Sequence, residues 1–528
     1  MLFTSLPFVL FVAILVLTYY AFVPHNERWG LLLIASLGFY FFADPRYLIF
    51  IFVTALTAFI IADITEDYNA KRKAYLKANK ADMDADVKKK YKATTTRVTR
   101  LLLALSLIIN LGILAYTKYI NFFIENINAV RGGEPLSFVN VIIPMGISFY
   151  TFQTVSYSID VARGTCKAQK NFWKFLLFVS FFPQLVQGPI SRYEDLSKTL
   201  YDPKPFDFRN VSYGFIRILF GYFKKLVIAD RLVIGLKTLT ESPDEYKGAF
   251  VFVVMMFYAA QLYCDFTGGI DITIGIAQML GITVKENFDL PYFSKNIKEY
   301  WNRWHITMGT WFTDYIFFPL SVSSRMLKLS KWSRNHLGNA IGKRVTVYIS
   351  CFCVWLATGI WHGAAWHFVV WGLMNFVVIM ASQELEPLYE RFHGRFGLKT
   401  KGWYGAFEIL RTFLLMSSLK LFDCYRDVGV TFRMFGSMFT TFNAGKLFGG
   451  ELMNLGLSGG DYLVAGLAIV IVFLISLVKF LKGTDVREWL YDRYPLFVLS
   501  CVCLLLAVAV FGAYGAGFDA SQFIYNQF

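Results

Sequence analysis

The stretch ATGIWHGAAWHFVVWG, residues 357–372, lies inside a long apolar run and carries two of the chain's six histidines, His362 and His367. Such runs decide the fold. Stretches of about 18 or more mostly apolar residues recur along nearly the whole chain, and each is long enough to cross a bilayer as a helix. The 528 residues are 56% hydrophobic, 18% aromatic and only 17% charged. A soluble chain of this length would divide into several domains and carry more charge. The residue-by-residue alternation of a membrane β-barrel is absent. The expected fold is therefore an all-α polytopic membrane protein. Several runs are broken by Gly, Pro or charge, so roughly 10–12 crossings are expected, with re-entrant and interfacial helices among them.

The first run, Leu2 to Val23, lacks a basic start and a small-residue cleavage site. It is expected to be a transmembrane helix rather than a signal peptide. Most of the seven cysteines lie in apolar runs, and Cys351/Cys353 and Cys501/Cys503 are each two apart. On a helix such pairs point to different faces, so they are expected to be small buried hydrophobes and not metal ligands. The net charge of +15 gathers largely in loops. No basic domain stands clear of the apolar segments, which argues against nucleic-acid binding. Residues 65–100 are rich in Lys and Arg and are expected to form a cytoplasmic, solvated helical loop. With three segments before that loop, and the basic stretch KFLKGTDVREWLYDRY before the last helix also inside, both termini are expected outside. No internal repeat appears, and one membrane domain is expected over 1–528.

Ionisable residues at membrane depth are costly, so they are functional candidates that should face a cavity. In EYWNRWHITMGTWFTDYIFF, residues 299–318, the positions Trp301, Trp304, His305, Met308, Trp311 and Phe312 recur at helical spacing. They form one face, with Glu299, Asn302, Arg303, Thr310 and Asp314 largely opposite. An interfacial helix with an aromatic belt is the plainer reading of this segment. In the opening stretch, helical spacing puts His362 with Thr358, Gly359, Ala365 and Trp366, and pairs Gly359 with Gly363 as a small-xxx-small contact. A narrow lined passage and a packed histidine bonded to a neighbouring carbonyl remain equal readings. His367 turns away from His362, and the spacing of a zinc helix is missing, so no metal site is expected.

Other candidates are Asp265 and Asp271 in QLYCDFTGGIDITIG, and Gln153, Asp160 and Arg163 in PMGISFYTFQTVSYSIDVARG. In FFPQLVQGPISRYEDL, Pro183, Gly188 and Pro189 forbid a continuous helix. No phosphate-binding loop, nucleotide fingerprint or nucleophile elbow is present.

WNRWHITMGTWFTDYIFFPL and then GIWHGAAWHFVVWG resemble the membrane-bound O-acyltransferase superfamily, most closely its alginate O-acetyltransferase-type bacterial branch. PMGISFYTFQTVSYSIDVARG, SFFPQLVQGPISRYEDL, GYFKKLVIADRL and the terminal FIYNQF resemble the same branch. The similarity runs from about residue 100 to the end with motif order preserved, and six such motifs in order are specific where one would be weak. Three places differ from the branch. SVSSRM stands for a Gly-Gly-Asn-Arg turn, DFTGGID for Asp-Phe-Ser-Gly-Tyr-Ser-Asp, and KLFDCYRD for a late Phe-Phe-Arg motif.

The resemblance implies a ring of helices around a tunnel through the bacterial inner membrane. The donor would enter from the cytoplasm and the acceptor hydroxyl from outside. It makes His362 the invariant family histidine, acting as general base, and His305 the second, which would orient the donor carbonyl or assist the proton. Trp304, Trp361, Trp366, Asp314, Asp265, Gln153 and Arg163 are the candidate substrate-binding residues. Arg163, Lys167 and Lys170 would attract a phosphate-bearing donor. No resident cofactor is implied, because acetyl-CoA or an acyl-carrier thioester is a co-substrate. The implied partners are an exported glycan and a secreted or periplasmic acyltransferase of the serine-hydrolase type. D-alanyl transfer from a carrier protein to teichoic acid is the alternative within the class. A transporter or a non-catalytic scaffold is the alternative outside it. A transporter would carry inverted repeats with matching broken helices, and a scaffold would be expected to lose His362.

Overall fold

A computed structural model describes residues 3–79 and 83–514. The terminal FIYNQF stretch lies outside the described residues. Among those residues the only β-feature is an isolated antiparallel bridge between Phe288 and Trp304, and the remaining regular structure is helical. Within the expected single domain, contacts gather into two compact units. The first is Met1–Gly214 with Ile276–Lys285, and the second is Phe215–Gly275 with Glu286–Phe528.

The first unit contains α1 (Leu6–Ala21), α2 (Arg28–Ala43), α3 (Tyr47–Ala78), α4 (Ala85–Leu114), α5 (Ile147–Arg163), α6 (Phe172–Ser180), α7 (Phe182–Gln187) and α8 (Tyr193–Leu200). Helices α3, α4 and α5 pack on one another, and Tyr157 of α5 stacks against Phe175 of α6 at 4.5 Å. The polar ends of α3 and α4 carry most of the 65–100 segment. There Tyr75 meets Tyr91 at 4.4 Å, and the Arg72 guanidinium donates to Thr96 Oγ1 at 3.1 Å. The Pro/Gly-rich 181–196 stretch is broken as its residues require. Phe181 leaves helical geometry with ψ 102, and α7 ends at Gly188 with ψ 165.

The second unit holds the larger helices. α9 (Phe208–Tyr222) runs through a π-helical turn, Phe223–Ala229, into α10 (Asp230–Glu241). α11 (Ala249–Met279) contributes its residues to Gly275. The short α12 (Ile297–Arg303) and α13 (Ile306–Phe312) precede α14 (Ser324–His362) and α15 (Trp366–Phe396). Then come α16 (Gly402–Leu419), α17 (Leu421–Tyr425), α18 (Val428–Thr440), α19 (Gly459–Lys482), α20 (Val486–Tyr491) and α21 (Tyr494–Phe511). The π turn is a packing centre: Phe223, Val227, Ile228 and Leu232 bury against Ala465, Ala468 and Val472 of α19. The Leu226 carbonyl closes the end of α21 by accepting from the Ala513 amide at 2.9 Å. Helix α14 is bent at Gly338, whose φ of +79 is left-handed, so its first arm folds back on Gly342.

Among the described residues, seven helices are long and apolar enough to cross a membrane. They are Tyr47–Ala78, Ala85–Arg131, Ala249–Met279, Ser324–His362, Trp366–Phe396, Gly459–Lys482 and Tyr494–Phe511, and Leu6–Ala21 is a shorter apolar helix. The protein is thus a helical multi-pass membrane protein. The further crossings expected from the apolar runs fall on helices shortened by breaks such as Phe181, Gly188 and the turn before Ile147.

Candidate active site

The aromatic stripe at 299–318 does not form one helix. Arg303 ends α12, Trp304 is extended, and His305 is left-handed with φ +50 and ψ 53 before α13 begins. Backbone hydrogen bonding explains the correction. The Asp289 amide donates to the Arg303 carbonyl at 3.0 Å, and the Ile306 amide donates to the Asn287 carbonyl at 3.0 Å. The crossing segment 287–289 therefore takes groups that a continuous helix would have used internally. Histidine is among the residues that tolerate this backbone region.

Asn287 is fully buried and organises the break. Its Oδ1 accepts from the Thr307 amide at 3.0 Å and the Thr307 hydroxyl at 2.9 Å, and lies 3.3 Å from His305 Nδ1. The Thr307 amide fixes which end of the carboxamide is oxygen, so Nδ1 of the neutral His305 ring is the donor and the lone pair sits on Nε2. Burial pushes the His305 imidazole down from the usual 6.5 to about 3. It is therefore neutral across physiological pH. Its ring lies edge-on to Phe266 at 5.0 Å and to Trp361 at 5.9 Å.

His362 is the last residue of α14. The helix stops at Gly363 in extended geometry, and α15 starts at Trp366. The continuous face that joined His362 to Ala365 and Trp366 is therefore not formed, and Trp366 is 58% exposed. The small-residue contact also differs from the expected one. Gly359 packs against the Phe368 carbonyl and opposes Gly372, whereas Gly363 lies under the Phe368 ring. This close crossing of α14 and α15 fixes the His362 ring at 4.6 Å from Trp371 and 5.0 Å from Trp361. The buried indole of Trp361 thus borders both His305 and His362.

His362 faces a void of about 30 Å³ with Trp304, Trp371, Phe266, Lys420 and Asp423 among its walls. That space holds a water-sized group. The Lys420 nitrogen lies 3.8 Å from the Trp304 ring centroid and donates to the Tyr292 hydroxyl at 2.8 Å. Tyr292 donates in turn to the Ala259 carbonyl at 2.7 Å. Asp423 accepts from the Tyr258 hydroxyl through Oδ2, and its buried Oδ1 has no hydrogen-bond partner among the described residues. Tyr292 also lines an apolar cleft of about 900 Å³ with Tyr263, Phe413, Ile469 and Phe473. A third cavity of about 620 Å³ is bounded by Arg217, Lys224, Asp271, Glu286, Lys479 and Arg487. There the Arg217 guanidinium pairs with both Glu286 and Asp271.

A profile of the MBOAT, membrane-bound O-acyltransferase, family matches residues 168–422. This segment, just under half of the chain, is similar in sequence to the membrane-bound O-acyltransferase family. A probable alginate O-acetylase of Pseudomonas syringae pv. tomato is 35% identical over 64% of this chain and 60% of its own length. A peptidoglycan O-acetyltransferase of Helicobacter pylori is 30% identical over 56% of this chain and 57% of its own. A teichoic acid D-alanyltransferase of Bacillus subtilis is 28% identical over 52% of this chain and 67% of its own. The match spans about 60% of the length of the alginate relative.

The geometry sorts the candidate residues of this chain. His362 and Trp304 share one void, and Trp361 borders His362 and His305 beside it. Asp265 is elsewhere in the unit, fully buried, with its Oδ1 accepting from Lys225 at 2.6 Å. Lys225 also pairs with Asp230 at 2.7 Å, so Asp265 belongs to a buried ion network. Asp314 is exposed on the π-helical turn Thr313–Phe317. Gln153 and Arg163 belong to the first unit. Gln153 is buried and donates to Gln184 Oε1 at 3.0 Å, while Arg163 ends α5 and is exposed. Lys170 is engaged by Asp63 at 2.5 Å and Glu66 at 3.0 Å. Sequence reasoning missed Asn287, Lys420 and Asp423. For the last two a signal existed: a lysine and an aspartate three apart, closing an apolar run in KLFDCYRD.

Proposed function

We propose that this protein is an O-acyltransferase that moves an acetyl group from acetyl-CoA in the cytoplasm to a hydroxyl of an exported polysaccharide, directly or through an extracytoplasmic partner acyltransferase of the serine-hydrolase type. It would reside in the bacterial cytoplasmic membrane with both termini outside. The observation that carries the reading is His362 at the wall of a small aromatic void, with His305 held neutral beside the same Trp361 ring. A neutral imidazole at position 362 takes the acceptor proton as the alcohol attacks the thioester. The names of the alginate and peptidoglycan relatives support acetyl as the group and a glycan as the acceptor.

The test is transfer of labelled acetyl from acetyl-CoA in membranes carrying the full chain. His362→Ala should lower it by about 10²–10⁴, the usual worth of a general base. Unchanged transfer in that variant removes the catalytic assignment, and uptake of label with no ester formed favours a transporter. D-alanyl transfer is the second reading, supported by similarity to the teichoic acid D-alanyltransferase. It predicts activity with a D-alanyl carrier thioester and none with acetyl-CoA.

A further inference from the structure

We infer that Lys420 is a catalytic residue of this site, holding the oxygen of the acyl carbonyl as it becomes an oxyanion. The inference rests on the proposed acyl transfer but concerns a residue outside the histidine pair. Lys420 is 6% exposed and borders the same void as His362. Its nitrogen has one hydrogen-bond acceptor among the described residues, the Tyr292 hydroxyl. That hydroxyl spends its own proton on the Ala259 carbonyl, so it can only accept from Lys420. One N–H is thereby fixed, and the nitrogen is seated on the Trp304 face. An amine has further N–H bonds in either protonation state. A buried lysine held mainly by a neutral hydroxyl and a ring costs stability unless something else uses its donors.

Acyl transfer supplies that use. The acceptor oxygen forms its bond to the carbonyl carbon while its proton passes to His362. The negative charge then resides on the carbonyl oxygen, where a preorganised donor in a water-poor pocket acts most strongly. The C–S bond breaks as the carbonyl re-forms, and the departing thiolate takes the proton from His362. The aromatic walls around Lys420 keep water from competing for its donors.

The experiment measures labelled acetyl transfer and donor saturation by full-length Lys420→Gln and Lys420→Cys proteins in membranes, the latter also after aminoethylation with bromoethylamine. Wild-type membranes treated alike correct for the seven native cysteines. The expected result is a loss of about 10²–10³ in kcat, as for other single oxyanion donors. KM for the donor should be nearly unchanged, and the aminoethylated Lys420→Cys protein should regain most of the rate. Full kcat in either unmodified variant overturns the inference. Loss without recovery, in protein that still elutes as a folded monodisperse species, also overturns it. If Lys420→Gln fails to fold, aminoethylation of the purified Lys420→Cys protein decides by the same criterion. Absence of transfer by the wild type counts against the proposed function and not against Lys420.

Discussion

Gly372 of α15 meets Gly359 of α14 backbone to backbone: a Cβ on Gly372 would stand 3.1 Å from the Gly359 Cα and 2.5 Å from the Trp355 carbonyl oxygen. Both neighbours are main chain, so neither can swing aside. Gly372→Val should therefore push the helices apart and lower stability by about 1–3 kcal/mol, the usual cost of overpacking. Gly394→Ala, on the same helix with nothing within 4 Å, should be neutral or slightly stabilising. Melting of detergent-purified proteins separates the two. An unshifted Gly372→Val melt would show that the crossing is not tight.

The imidazole of His305 is pushed down to about 3 by burial, against 6.5 in the unfolded chain. Between those values the unfolded state binds a proton that the folded state does not. Stability from this residue is thus complete above pH 6.5 and falls as pH drops toward 3. Its share of the loss between pH 7 and pH 5 should be about 2 kcal/mol. His305→Asn keeps a side chain suited to the left-handed backbone and removes the titrating group. Melting at both pH values should show a smaller drop in the variant. Equal drops would mean that His305 is reached by solvent protons in the folded state.

Lys225 stands between the buried carboxylate of Asp265 at 2.6 Å and the partly buried one of Asp230 at 2.7 Å. Removing the cation leaves like charges facing each other in a low-dielectric interior. Lys225→Met should cost about 3–5 kcal/mol, the scale for breaking a buried pair from one side. Lys225→Met combined with Asp265→Leu should recover part of it, because the most buried anion leaves too. Folded yield and melting temperature check both. If Asp265 served the substrate instead, its Leu variant would lose acyl transfer while Lys225→Met kept a normal melt.

What the sequence made legible follows the reach of each interaction. Apolar runs report burial along one helix, so α3, α11, α15, α19 and α21 could be anticipated from composition alone. His305 and His362 were legible because their motifs carry short, specific patterns. The backbone at each was not. Periodicity assumes that hydrogen bonds stay inside the helix, and at Trp304–His305 they are taken by Asn287 and Asp289. At Gly363 the chain leaves the helix, which severed the expected face joining His362 to Trp366. Lys420 and Asp423 stood as a charged pair three apart in KLFDCYRD, but their place beside the Trp304 ring was not legible, because nothing local ties α16 and α17 to it. Asp265, paired with Lys225, marks another limit of spacing. A buried carboxylate is as expensive for structure as for chemistry, and spacing does not distinguish the two.

Tyr292 lines the large apolar cleft, and its hydroxyl anchors Lys420 at the wall of the small void. Swinging that ring away would break both of its hydrogen bonds, at about 0.5–1.5 kcal/mol each. It would also deprive the Lys420 nitrogen of its anchor. A side chain that reshapes the cleft at Tyr292 would therefore also loosen the seat of the amine, so the two spaces are mechanically linked through one phenol.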